Sequence, residues 1–218
     1  MNFTAQYSNL ETLTPQIDTN PANINPGQLP PDLFRDDLFP GGTTITIDGP
    51  KYSAGLSKRY VTPPAGLLQA FTRYTFSYQI RPSETAHLYS QIHENDFRMS
   101  GPDGNVYPAD CQKNNQEGGV WMIPDGKGGW VNTSFNAGLW TPDVWTPVSQ
   151  VYLIDWTKET VTFVSITDGT QTKAIAATIP AVALKWAPGL LGFQNQEGLN
   201  ALGGSYTCSR RNISISMQ

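Results

Sequence analysis

The chain has 218 residues, six Trp, nine Tyr, nine Phe and a net charge of −4, enough aromatic mass for a packed core and too little charge for a disordered chain. Its cationic pairs are short, Lys58-Arg59 and Arg210-Arg211. A nucleic-acid partner, which wants several cations on one face, is therefore not expected. No apolar run approaches the roughly 20 residues that span a bilayer. Charged residues are only 15% while Gly (20) and Pro (17) abound, a balance that favours short strands joined by tight turns.

In chain order, Met1-Asn2-Phe3 has no basic region and no apolar stretch, so a cleavable leader is not expected within the chain. Residues 8–41 carry Pro15, Pro21, Pro26, Pro30, Pro31 and Pro40, which predicts an irregular arm packed on the domain, with one helical turn near Asp32–Asp37. Thr43–Ile47 is a short strand closed by Asp48-Gly49-Pro50. Leu67–Ile80 is the longest strand region: Tyr74, Phe76, Tyr78 and Ile80 alternate with Arg73, Thr75, Ser77, Gln79 and Arg81. After a short connection, His87–His93 reads as the adjacent strand, with Tyr89, Gln91 and His93 on one face. Gln79, Arg81, Gln91 and His93 are then expected to share one wet surface, the floor of a site for a hydroxyl-rich ligand.

From Phe97 to Gly129 the pattern breaks into turns around a short strand, Gly119–Ile123. Strands follow at Trp130–Phe135, Ser149–Asp155, Thr160–Ile166, Thr172–Ile179, Leu190–Asn195 and Ser205–Met217, with Asp168-Gly169-Thr170 as a hairpin turn. Ala181–Trp186 is the one helical candidate in the second half. Ten or more strands without an internal repeat indicate an all-β chain, a single-domain antiparallel β-sandwich or barrel spanning residues 1–218.

Two cysteines cannot staple a scaffold or ligate a four-coordinate zinc by themselves. Cys111 and Cys208 are either one long-range disulfide, from a mid-chain loop to the last strand, or two unpaired thiols, one of them buried. No metal and no cofactor is expected: Asp103-Gly104-Asn105 and Asp125-Gly126 read as turns, and no Gly-rich loop leads into a helix. Glu94 and Asp96, at i and i+2, are the nearest approach to a glycosidase pair, and Glu94-Asn95-Asp96 is read instead as a polar turn. Trp121, Trp130, Trp140 and Trp145 crowd 25 residues and are divided between core and sugar-stacking roles; Trp156 and Trp186 are read as core.

Residues 145–217 carry a resemblance. Trp145-Thr146-Pro147, Tyr152-Leu153-Ile154-Asp155, Val161-Thr162-Phe163-Val164, Leu191-Gly192-Phe193-Gln194 and Asn212-Ile213-Ser214-Ile215 follow the order of the closing hairpins of the concanavalin A-like lectin/glucanase jelly roll. This implies a jelly-roll sandwich and makes Gln194 a ligand contact. Gln91-Ile92-His93 is similar to a concave-face tripeptide of jelly-roll alginate lyases. That resemblance implies that Gln91 neutralises a substrate carboxylate and His93 acts at the C5 proton, with Arg81 and a tyrosine, Tyr89 or Tyr206, completing the set. The Arg-rich strand and Tyr-x-Lys-Ala-Gly segment of those lyases are absent.

The expected partner is therefore a carbohydrate, contacted by Gln79, Arg81, Gln91, His93, Trp130 and Gln194. Lyase or hydrolase action and a structural, adhesive role are the alternatives. The N-x-Ser/Thr triplets at Asn2, Asn132 and Asn212 accord with a secreted or periplasmic location.

Overall fold

The computed structural model describes residues 3–7, 43–49, 54–61, 63, 65–83, 91–199 and 204–218. Thirteen strands are β1 (Phe3–Tyr7), β2 (Thr43–Gly49), β3 (Ala54–Val61), β4 (Arg73–Pro82), β5 (Gln91–Ser100), β6 (Val106–Asn114), β7 (Val120–Pro124), β8 (Trp130–Asn136), β9 (Thr146–Asp155), β10 (Thr160–Asp168), β11 (Gln171–Pro180), β12 (Leu191–Leu199) and β13 (Gly204–Met217). They form two antiparallel sheets. The front sheet runs β3-β12-β5-β6-β7-β8; the back sheet runs β1-β13-β4-β9-β10-β11, with β2 also on β13. Among the described residues, helix is limited to single 3-10 turns at Leu68–Ala70 and Asn115–Glu117. The fold is an all-β jelly-roll sandwich; the Pro-rich arm of residues 8–41 lies outside the described residues.

β4 alternates as its sequence predicts, with Tyr74, Phe76, Tyr78 and Ile80 buried and their neighbours at the surface. That apolar face needs cover, and β5 supplies it from the facing sheet. Phe97 stacks on Phe76 with ring centroids 5.8 Å apart. The expected adjacency of these two strands is thereby corrected: β4 pairs with β13 and β9, and β5 with β12 and β6. Gln79 and Arg81 point outward from the back sheet, whereas Gln91 and His93 point inward from the front sheet and are fully buried. No common wet floor exists.

β5 also runs on through Ser100, so Glu94-Asn95-Asp96 is strand and not turn. β6, unexpected from sequence, occupies the middle of the region read as turns. Its Pro108 disrupts no ladder. The Val106 N–H points away from β5, to the Val182 carbonyl at 2.8 Å, and position 108 repeats that direction two residues on. Residues 181–186 are no helix: Val182 bridges Val106, and the Trp186 N–H bonds the Gly104 carbonyl at 2.9 Å.

Cys111 and Cys208 are both buried free thiols, which corrects the disulfide. They belong to opposite sheets, β6 and β13, and Cys111 Sγ meets the Tyr152 hydroxyl at 3.5 Å. Gly119 (φ +88°) brings β7 against the next loop so closely that a Cβ there would sit 2.2 Å from the Gly138 carbonyl oxygen. This contact seats Trp140 in the core, where it is 4% exposed.

Candidate functional site on the front sheet

The interior of the sandwich is apolar at one end and polar at the other. At the polar end His93 Nδ1 lies 2.6 Å from Glu197 Oε2, its direct neighbour on β12. The Tyr206 hydroxyl donates to the same oxygen at 2.8 Å, and Arg210, crossing from the back sheet, pairs with Glu197 Oε1 and donates through Nε to Asn95 Oδ1 at 2.7 Å. Burial alone would raise the Glu197 carboxyl. Arg210, His93 and Tyr206 outweigh it and hold the group at about 2. Beside this cluster, Lys113 pairs with Asp168, which also accepts from the Trp121 and Trp140 indoles at 2.9 and 2.6 Å. Burial pulls the Lys113 ammonium below its ordinary pKa despite that partner.

Three donors here, His93, Glu197 and Cys208, lie within 4.8 Å of one another. Arg210 already occupies the position a cation would take, and burial pushes the Cys208 thiol well up, away from the thiolate that metals bind. The residues fit a buried structural network better than a metal centre. His93 and Gln91, the proposed base and neutraliser, thus face the core. Tyr206 is buried with them, and Tyr89 lies outside the described residues.

The outer face of the front sheet carries a different set. Residues that alternate with His93 and Asn95 along β5 are Glu94, Asp96 and Arg98. Register places Gln112 of β6 and Gln196 of β12 on either side of Glu94, and Asp110 of β6 beside Asp96. Arg98 gathers the row: Nη2 is 2.9 Å from Asp96 Oδ2 and 2.7 Å from Asp110 Oδ2, while Nε donates to both Asp110 oxygens at 3.0 and 2.9 Å. Gln196 donates to Glu94 Oε2 at 3.3 Å, and Glu94 and Asp96 share a carboxyl–carboxyl hydrogen bond.

Burial pushes Asp96 well above the ordinary carboxyl range, reinforced by the charges of Asp110 and Glu94 and opposed by Arg98. Asp110 is raised by burial as well, against the pull of Arg98. Neighbouring carboxyl groups whose surroundings shift their pKa values are an arrangement from which distinct acid and base roles can arise. Gln194 stands opposite Asp96 in the ladder; its side chain lies outside what the structure describes.

Arg98 and Asp110 open into a cleft of about 480 Å³ walled by Pro108, Pro124, Val182 and Leu184, with Lys127 at the rim. The cleft exists because β7 pairs only with Gln112–Asn114 of β6, leaving residues 106–111 as an edge over which residues 182–184 pass. Trp130, half-buried, sits directly opposite Pro124 and shares its sheet face. A larger, shallower depression of about 800 Å³ lies at the far end of the back sheet, around Trp156. Its Asp155 and Lys158 pair with each other at 3.0 Å, and the smaller cleft, the more enclosed of the two, is the better site.

Sequence reasoning missed Arg98, Asp110, Gln112 and Gln196, and set aside Glu94 and Asp96. The signal was weak because β5 is polar on both faces, its inner face serving the His93–Glu197–Arg210 network. Alternation therefore could not carry the strand beyond His93.

No protein-family model and no curated protein matches the sequence. Among solved structures the chain is similar to alginate lyase Aly36B, with TM-score 0.52 and 10% identity over 97% of this chain and 96% of that one. A mutant of that lyase in complex with an alginate tetrasaccharide gives TM-score 0.50 and 11% identity over 98% and 96%. Arcelin-5, a lectin-like defense protein from Phaseolus vulgaris, gives TM-score 0.49 and 10% identity over 100% and 98%. The shared fold is the concanavalin A-like jelly roll.

Proposed function

We propose that this protein binds a polysaccharide on the outer face of its front sheet, in the cleft floored by Arg98 and Asp110. The observation that carries this reading is the Arg98 guanidinium, shared between two carboxyl groups on the floor of an apolar-walled cleft. Pyranose rings present apolar C–H faces and polar edges. Pro108, Pro124 and Leu184 suit the former, Arg98 and Asp110 the latter, and Trp130, the ladder partner of Pro124, is the stacking residue beside the cleft. The alginate complex of a protein with this fold supports a carbohydrate as the ligand class. Among the described residues no helix is long and apolar enough to cross a membrane. A polysaccharide ligand goes with a location outside the cytoplasm.

Calorimetric titration with a panel of neutral and acidic oligosaccharides tests this. Leu184, 47% exposed, is a cleft wall whose change to Arg obstructs the cleft without entering the core. Leu184→Arg and Trp130→Ala should each weaken binding at least tenfold. A panel with no binder, or binding untouched by both variants, refutes the cleft as the site.

Cleavage of the bound glycan is a second reading, favoured by Asp96, whose pKa burial raises, beside Glu94 on the same sheet face. Asp96 would protonate the leaving oxygen as the glycosidic C–O bond breaks, and a water that gives a proton to Glu94 would add at the anomeric carbon. Release of reducing ends, lost in Asp96→Asn with binding retained, would support it; absence of product from every bound glycan would remove it.

A further inference from the structure

The outer face of the back sheet holds a group of side chains that the cleft does not use. Trp145 stands at the entry to β9, beside the end of β4, where the Asp143 N–H bonds the Pro82 carbonyl at 2.8 Å and holds the loop in place. The Arg81 guanidinium carbon lies 5.0 Å from the Trp145 ring centroid and that of Arg211 lies 4.1 Å from it. Arg211 Nε donates to Gln79 Oε1 at 2.8 Å, and Asn212 Nδ2 reaches the same oxygen at 3.3 Å.

The backbone is adapted to this grouping. The β13–β4 register breaks between Arg211 and Ser214, and Asn212 takes φ +52°. The bulge turns two consecutive residues, Arg211 and Asn212, to the surface, where regular alternation would send one inward. Among the described residues neither Arg81 nor Arg211 has a carboxylate within ion-pair distance. Two exposed like charges thus converge on one ring in a chain of net charge −4. The cation–π contacts hold them together, and the Arg81 fork and the terminal N–H groups of Arg211 remain available.

We infer that Arg81, Trp145 and Arg211 form a second ligand site, on the side opposite the cleft, for an anionic polysaccharide. Two guanidinium forks chelate one carboxylate or sulfate group. Away from them the same sheet face continues as a hydroxyl strip: Ser77 donates to Ser149 at 3.2 Å, with Ser214 directly opposite Ser77 on β13. Hydroxyls spaced along a flat face suit the neutral parts of a sugar chain. Two cations are too few for a nucleic-acid backbone, whose charges recur at every residue. The inference is independent of the front-sheet cleft.

The test is binding at low ionic strength of polymannuronate, heparin, neutral dextran and a single-stranded oligonucleotide, measured by affinity electrophoresis. Wild type should be retarded by polymannuronate or heparin, the stronger of the two identifying carboxylate or sulfate, and not through this face by dextran. Arg81→Gln/Arg211→Gln should lose at least tenfold in affinity for that polymer, Trp145→Leu should lose several-fold, and Lys158→Gln, which removes an exposed cation away from both sites, should retain the retardation that these variants lose. All three are surface changes, and unchanged thermal unfolding checks the fold. No retardation of wild type by either anionic polymer overturns the inference, as does an unaffected double variant or tighter binding of the oligonucleotide.

Discussion

Lys113 of the front sheet places its ammonium 2.5 Å from the Asp168 carboxylate of the back sheet, both side chains buried, so that one ion pair bridges the two layers. The pair sits under Trp140, whose ring centroid is 4.1 Å from Lys113 Nζ. Asp168 has three donors and Lys113 one carboxylate, so the two are not equivalent. Asp168→Ala strands a buried cation and two indole N–H groups and should cost about 3–5 kcal/mol. Lys113→Met leaves Asp168 two donors and should cost less. Urea unfolding of both variants decides; equal costs, or the reverse order, would contradict this account.

Acid should loosen the same end of the sandwich through Glu197. Its folded-state pKa of about 2 lies below the ordinary 4.5, so its contribution is complete above that ordinary value and is lost as pH falls toward 2. The size is on the order of 3 kcal/mol. Glu197→Gln should therefore be destabilised at pH 7 and converge on wild type in strong acid. A stability difference independent of pH would separate the defect from this charge.

Asp96 carries the opposite sign. Its folded pKa is raised above the ordinary 3.8, so its contribution is greatest below that value and declines as pH rises toward the folded pKa. Asparagine mimics the protonated acid and can still donate to Glu94. Asp96→Asn should leave stability equal or higher at pH 7, with the gain fading toward pH 4, as followed by thermal unfolding across pH. Arg98→Met removes the shared cation and should be destabilised increasingly as pH rises. Loss of stability in Asp96→Asn at pH 7 would mean that the carboxyl is ionised in the fold.

Both thiols should be silent in the folded protein. Burial raises Cys111 and Cys208 well above the ordinary thiol range, and neither is exposed. A thiol reagent should label neither in native buffer and both in denaturant without added reductant. Labelling that appears only after reduction would instead reveal a disulfide.

Much of the fold was legible wherever a strand has one apolar face. Tyr74–Ile80 shows its alternation plainly, and the hairpins from Thr160 to Ile179 follow from apolar runs and the Asp168-Gly169 turn. The front sheet was harder to read, since β5 is polar on both sides and β6 is interrupted by Pro108 and Lys113.

The sequence by itself determined an all-β jelly-roll chain, the two faces of β4, and that Gln91 and His93 lie together on one side of their strand. A period of two assigns residues to common faces, and this much survives folding. Only the tertiary structure decided which face looks inward. Glu197 and Arg210, distant in sequence, supply the partners that let His93 be buried, and burying His93 turns Glu94, Asp96 and Arg98 to the outer face of the sheet, where Asp96 is still covered by its neighbours. The outward face of the front sheet is thus set by charge pairing across the sandwich, which no local pattern in β5 records.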